Sequence, residues 1–264
     1  MQIREWPFRN TATNRVILAF RGEAAGARMV NRIRPSLAGI TAVFDLDGTI
    51  ADTAGDLADA ANAALMSEGF AVAPAAAIAK SAGYGTRAML STAMSAGGFS
   101  ADAEQMQRMA AKLVAHYEEN IACKSRLFPG FAEAAGFLQA GGAKLALCTN
   151  KRERLAVKLL SALGIAGLFE AVAGGDTFPY HKPDPRHISD LVQLAGGVLS
   201  AAVMVGDSEA DIEAAKAAGI PVIAVSFGYA SVPAGALGAD AVLNHFEELP
   251  ALIRALLPQM QPAE

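Results

Sequence analysis

Short apolar runs recur along the chain at Thr41–Phe44, Lys144–Cys148, Ala171–Ala173, Ala202–Val205, Val222–Val225 and Ala241–Leu243. Each is too short for a helix and carries no polar alternation, so each reads as a strand buried on both faces. Helical segments of about 10–15 residues separate them, and this alternation predicts an α/β fold with a doubly wound parallel sheet. One interval breaks the rhythm. From residue 56 to 126 no strand is evident, and Asp56–Gly69, Thr86–Ala96 and Asp102–Asn120 read as amphipathic, alanine-rich helices. They predict a small helical cap inserted after the first strand. The chain returns near Ser125–Pro129, where Pro129-Gly130 punctuates it. The expected organisation is an N-terminal extension over 1–38, a core over 39–55 and 127–258, and the cap over 56–126.

Composition adds little to that picture. The 264 residues are 53% hydrophobic and 18% charged, enough for one large domain or a domain with an insertion. No apolar stretch is long enough to span a bilayer, and a net charge of −4 leaves no basic footprint, so neither a membrane nor a nucleic acid is expected as a partner. Cys123 and Cys148 form no CxxC pair; two isolated cysteines suit a reducing compartment.

Charge changes the picture at one end. Residues 1–40 carry seven arginines against Glu5 and Glu23, a balance of +5 that leaves −9 for the rest of the chain. Such a leader reads as an organelle transit peptide, as the product of an upstream start with Met29 the true first residue, or as a loosely packed tail. The start-site reading is preferred. A cytoplasmic location is expected, with organellar import only if residues 1–38 are a genuine transit peptide.

The chemistry is concentrated at predicted strand ends, where open α/β sheets bind ligands. Asp45 and Asp47, in Phe44-Asp45-Leu46-Asp47-Gly48-Thr49-Ile50-Ala51-Asp52, directly follow the first apolar run. Charges there are costly unless compensated, and a divalent cation with a phosphoryl group would compensate them. Gly48 lets the backbone turn close to a ligand. Thr149-Asn150 follows the second run, Lys182 lies in His181-Lys182-Pro183-Asp184-Pro185, and Gly206-Asp207-Ser208-Glu209-Ala210-Asp211 follows the fourth run. Together they supply a nucleophile, a second carboxylate, a hydroxyl, a cation and a further acid pair, the parts of a phosphoryl-transfer site.

In these motifs, and in their order, the chain resembles the haloacid dehalogenase superfamily of phosphohydrolases over about residues 41–257. Within it, the chain is most similar to phosphoglycolate phosphatases with a small helical cap, through Thr149-Asn150-Lys151, Gly174-Gly175-Asp176 and Ser226-Phe227-Gly228-Tyr229. The resemblance implies roles residue by residue. Asp45 would attack phosphorus and form an aspartyl-phosphate. Asp47 would protonate the leaving alkoxide and then deprotonate water. Mg²⁺ would be held by Asp45, the Asp47 carbonyl and Asp207, with Asp211 supporting it. Thr149, the Asn150 amide and amides at and near Gly48 would hold the phosphoryl group, and Lys182 would bind it too while neutralising charge on the nucleophile and the transferring group. A small phosphorylated metabolite, 2-phosphoglycolate above all, would be the substrate of a monomer or homodimer. A sugar-phosphate phosphatase, a phosphomutase and a non-catalytic binding protein on the same scaffold stay open as alternatives.

Blander readings compete at single positions. An EF-hand would need glycine at Ile50 and glutamate at Asp56. Gly83-Tyr84-Gly85-Thr86-Arg87-Ala88 imitates a dinucleotide fingerprint but follows no strand, and reads better as a cap loop. From it Arg87 would meet a substrate carboxylate, or else be a solvated helix-start residue. Asp207 and Ser208 also suit a cap on a helix ending before Gly219. Asp52 reads as a turn residue outside the catalytic set, His181 as either a surface or a site residue, and His116, His187 and His245 as structural.

Overall fold

The computed structural model describes residues 36–258, so most of the expected N-terminal extension lies outside the described residues. In chain order the elements are β1 (Thr41–Phe44), β2 (Ala51–Asp52), α1 (Ala54–Ser67), α2 (Ala75–Ala79), α3 (Thr86–Ala96), α4 (Ala103–Glu119), β3 (Arg126–Leu127), α5 (Phe131–Ala140), β4 (Lys144–Cys148), α6 (Glu153–Ala162), β5 (Ala171–Ala173), α7 (Pro185–Leu194), β6 (Ala202–Gly206), α8 (Glu209–Ala217), β7 (Val222–Val225), β8 (Ala241–Leu243) and α9 (Leu249–Leu256). All the apolar runs become strands of one parallel sheet, ordered β5-β4-β1-β6-β7-β8. In its register Val43 pairs with Ala146 of β4 on one side and Met204 of β6 on the other.

Side chains alternate between the faces of a strand, and both faces here are covered. Ala42 and Phe44 enter a layer with Phe131 and Leu138 of α5, Leu159 of α6 and Ile253 of α9. Val43 enters the opposite layer with Ile188 and Leu191 of α7 and Ile212 of α8. Double coverage is why the strands are uninterrupted apolar runs. Phe44 and Phe131 meet edge to face at 5.6 Å between ring centres. Each such fully buried side chain contributes about 1.5–3 kcal/mol through loss of apolar surface to water. β1 sits where the chain, having wound out to β5, reverses to β6, and that switch opens a crevice at the carboxyl ends.

Helices α1–α4 build a third apolar cluster of their own, with Leu57 and Leu65 of α1, Leu90 of α3, and Met109, Leu113 and Tyr117 of α4. Ala60, Ala61 and Ala64 are completely buried; small side chains on that face of α1 let its neighbours approach closely. Helix α4 starts as a capping box. The Gln105 N–H donates to Asp102 Oδ1 at 2.7 Å and the Asp102 N–H to Gln105 Oε1 at 3.1 Å.

Two features of this unit escape the sequence pattern. One is the short helix α2. The other is an antiparallel ribbon in which Ala51 of β2 pairs with Leu127 of β3, and Asp52 with Arg126. It straps together the chain's way into the helices and its way out. Buried Asp56 reinforces it, accepting from Lys124 N, Ser125 N and Ser125 Oγ at 2.6–3.1 Å. Two-residue strands carry too few positions for a periodic signal. Among the described residues no helix is long and apolar enough to cross a membrane.

His187 on α7 is completely buried, with Nε2 3.2 Å from Gly174 O and Nδ1 3.5 Å from Cys148 Sγ. Burial pushes its pKa down to about 4, and the Lys182 charge adds to the effect. The unfolded chain takes up this proton from about pH 6.5 downward while the folded protein resists until about pH 4. The stabilisation from keeping His187 neutral is therefore complete above pH 6.5 and lost as pH falls towards 4. Urea unfolding across that window should show this group removing about 2–3 kcal/mol. His187→Asn should flatten the slope; an unchanged slope would exclude the assignment.

Candidate active site

Four side chains converge at the carboxyl ends of β1 and β6. Asp45 follows β1, and its N–H continues the ladder to Val205 O at 3.0 Å. Asp207 follows β6, Asp211 stands in the first turn of α8, and Lys182 arrives on the loop between β5 and α7. All are at most 4% exposed. Carboxylate oxygens of Asp45, Asp207 and Asp211 lie within 4.8 Å of one another. The Lys182 ammonium donates to Asp45 Oδ1 at 2.7 Å, Asp211 Oδ1 at 2.6 Å and Cys148 O at 2.7 Å, which uses its three protons.

Asp211 is also the reverse half of a helix cap. Its Oδ2 accepts from Asp207 N, Ser208 N and Ser208 Oγ at 3.2, 3.0 and 2.7 Å. Capping and site-building are thus one job at this position. Asp207 is held by the Tyr229 N–H at 2.6 Å and the Thr49 hydroxyl at 3.3 Å.

The electrostatics of this knot are unbalanced. Burial pushes Asp45 up to about 7, although Lys182 pulls the other way. Asp207 is raised well above the usual carboxylate range by burial and by the charges of Asp45 and Asp211. Burial alone would lower Lys182, but Asp211 and Asp45 more than offset it and hold the ammonium protonated. Three carboxylates face one ammonium, and a hard divalent cation with oxygen ligands fits that deficit.

Asp47 lies in the turn beyond β1, where Gly48 takes φ +83°. A methyl group at Gly48 would overlap the Asp207 carboxylate and press on the Tyr229 ring, so both the left-handed backbone and the close approach require glycine. The Gly48 N–H, expected among the phosphate donors, is instead donated to Ala51 O at 3.0 Å. Tightness of the turn claims that donor, and what Gly48 supplies is room. Asp47 is 5% exposed. It accepts from Thr53 Oγ1 at 2.7 Å and from Lys151 Nζ at 2.8 and 3.0 Å on its two oxygens.

Thr149 directly follows β4, its N–H donated to Ala173 O at 3.0 Å and its hydroxyl accepting from Lys151 N at 3.2 Å. Asn150 uses Nδ2 to join two loops, donating to Gly83 O at 3.1 Å and Lys182 O at 3.0 Å. A cavity of about 760 Å³ opens between the sheet end and the helical unit, lined by Asp47, Asn150, Lys151, Tyr117, Arg87 and His181 among others. Arg87 is an exposed member of that wall, in the first turn of α3.

Residues given no role by the motifs make contacts at the heart of this region. Lys151 is the cation paired with Asp47. Tyr229 accepts from Thr53 N and Ala54 N through its hydroxyl, at 2.6 and 3.0 Å, and donates to Asp52 Oδ1 at 2.7 Å. Asp52, read as a turn residue, thus joins a core loop to the entrance of the helical unit. Both Lys151 and Tyr229 stand in strings that carry the family resemblance, but their partners lie 104 and 175–177 positions away.

Residues 42–225 match the family model described as haloacid dehalogenase-like hydrolase. A phosphoglycolate phosphatase of Mesorhizobium japonicum is 44% identical over 207 residues, covering 78% of this chain and 91% of that protein. One from Caulobacter vibrioides is 42% identical over 221 residues, covering 84% of this chain and 93% of that one. A crystal structure described as a predicted phosphoglycolate phosphatase from Haemophilus somnus superposes with a TM-score of 0.76 at 28% identity, covering 82% of this chain and 98% of that one. With a sheet whose carboxyl ends gather the buried acids and lysine, and with these relatives over most of its length, the chain belongs to the haloacid dehalogenase-like hydrolases, among the phosphatases of that family.

Proposed function

We propose that the protein is a Mg²⁺-dependent phosphomonoesterase that works through an aspartyl-phosphate and hydrolyses 2-phosphoglycolate to glycolate and phosphate. The observation that carries this reading is the knot of Asp45, Asp207 and Asp211 around the Lys182 ammonium. The names of the relatives support the substrate.

In this reading an Asp45 carboxylate oxygen attacks phosphorus as the bond to the leaving oxygen breaks. Lys182, already on Asp45, orients that carboxylate and neutralises charge as the phosphoryl group arrives. Thr149 and the Asn150 amide hold phosphoryl oxygens. Asp47, positioned by Thr53 and Lys151, gives a proton to the leaving alkoxide and then takes one from the water that cleaves the acyl phosphate, so the proton count closes over one cycle. Asp45, Asp207 and the Asp47 carbonyl would hold Mg²⁺, with Asp211 fixing Lys182 and the Asp207–Ser208 backbone behind them. The cation would supply charge neutralisation at the transferring phosphoryl group. Helices α1–α4 serve as the cap over residues 56–126, closing the cavity against water.

Steady-state phosphate release from 2-phosphoglycolate and a panel of small phosphate esters tests this. EDTA should abolish turnover and added Mg²⁺ restore it. Mg²⁺ at one hundred times its Kd should raise folding stability by about 2.7 kcal/mol, readable by thermal melting. Failure to release phosphate from any ester with Mg²⁺ present would end the proposal.

A further inference from the structure

The Lys151 ammonium is an unusual charge to find inside this cavity. Its side chain is 6% exposed, as is that of Asp47, and both Asp47 oxygens rest on it. Below it lies the ring of Tyr117 from α4, with its centre 4.3 Å from Nζ. Tyr117 is 1% exposed, yet its O–H finds no hydrogen-bond acceptor. A buried phenol normally finds one, because leaving such a group unsatisfied is costly. Tyr117 and Lys151 line the same cavity as Asp47. A desolvated cation and an unspent donor therefore stand together in the wall of the cavity that Asp47 also lines.

We propose that Lys151 and Tyr117 form the receptor for the substrate's carboxylate, carried on the carbon next to the phosphorylated oxygen, and so set the enzyme's preference for acidic over neutral phosphate esters. This rests on the phosphatase reading above, in which the leaving oxygen stands within hydrogen-bond reach of Asp47. From there a carboxylate one carbon away reaches an ammonium that is 2.8 Å from Asp47 Oδ1. An anionic leaving group beside the Asp47 carboxylate would be repelled without a cation between them, and Lys151 occupies that place. The ammonium shifts part of its hydrogen bonding from Asp47 to the substrate, and the Tyr117 O–H gains the acceptor it lacks. Arg87 and Arg152 line the same cavity. Arg87 is exposed, so water competes with any contact it makes to the substrate.

The test compares kcat/KM for 2-phosphoglycolate with that for ethyl phosphate, which lacks the carboxylate. Wild type should prefer 2-phosphoglycolate. Lys151→Met should cut that preference about 10- to 100-fold, as expected for one lost charge-assisted hydrogen bond. Any shared fall in kcat through Asp47 cancels in the ratio. Tyr117→Phe, which removes only the hydroxyl, should lower the ratio about 5- to 10-fold, mostly through KM, with ethyl phosphate nearly unaffected. Glycolate should inhibit Lys151→Met more weakly than wild type, and Lys151→Arg should recover part of the ratio. An unchanged ratio in Lys151→Met would leave Lys151 only the task of holding Asp47 and would overturn the proposal. So would a ratio that collapses in Arg87→Met while surviving in Lys151→Met. Wild type that hydrolyses ethyl phosphate but shows no preference for 2-phosphoglycolate would refute the receptor while sparing the phosphatase. Wild type that hydrolyses neither ester would refute both.

Discussion

Asp45→Asn is expected to lower kcat at least about 10⁴-fold, a rise of roughly 5–6 kcal/mol in the barrier. The amide is nearly the same size as the carboxylate and still offers an oxygen to the Lys182 ammonium, which donates to Asp45 Oδ1 at 2.7 Å. What it lacks is the anionic oxygen that forms the bond to phosphorus. The fold should not suffer. Burial already pushes Asp45 up to about 7, with Asp211 adding to the rise, so the carboxylate is held there against its own preference. A neutral side chain removes that like-charge repulsion, and in EDTA the melting temperature should be unchanged or higher. Single-turnover phosphate release and thermal melting together make the check. Turnover at the wild-type rate would displace Asp45 from the nucleophile's role.

Lys182→Met should have the opposite balance of effects on the fold. Its ammonium is 2% exposed and contacts Asp45 and Asp211 directly. Without it, buried carboxylates face one another with no cation from the protein. Removing one partner from such an arrangement typically costs about 3–5 kcal/mol, because the remaining charges stay desolvated. Mg²⁺ should recover part of that loss by mass action, which makes the difference between urea midpoints in EDTA and in Mg²⁺ larger than in wild type. Activity should fall about 10²- to 10³-fold, as for the loss of one preorganised donor at a developing charge. Lys182→Arg should be a poor rescue. A planar guanidinium cannot aim at Asp45 Oδ1, Asp211 Oδ1 and Cys148 O from the point where one small ammonium reaches all of them. An unchanged urea midpoint in Lys182→Met would mean that the knot is not electrostatically coupled.

Much of the frame was readable in advance because its causes are local. The runs Thr41–Phe44 and Ala202–Val205 had to be strands, since both faces of each are buried and apolar side chains appear at consecutive positions. Thr86–Ala96 and Asp102–Asn120 were legible as helices from their amphipathic spacing, while the Asp102/Gln105 cap that starts the second was not singled out. Ser208 and Asp211 show how a local signal can hide a second role. Ser208 was read as a cap on the following helix, and the Asp211 carboxylate that completes this cap closes on Lys182 from 29 positions away. The ribbon of β2 with β3 was not legible, because its strands exist only through pairing with each other. Gly48 was singled out for its turn, but the use of its N–H within that turn depends on where Ala51 folds back.

The order of motifs along the chain by itself determined the α/β class, the inserted helices and the identity of the acids and lysine at strand ends. Each of these follows from residue type and short-range spacing, which burial and backbone geometry translate directly into structure. Only the tertiary structure decided which polar groups pair beyond the expected Lys182–Asp45 contact: Lys182 also with Asp211, Lys151 with Asp47, and the Tyr229 hydroxyl with Asp52 and the start of α1. Those pairings join residues as much as 177 positions apart. They arise because the strand ends that carry them become neighbours in the sheet, and an interior of low polarity makes an unpaired charge too costly to keep.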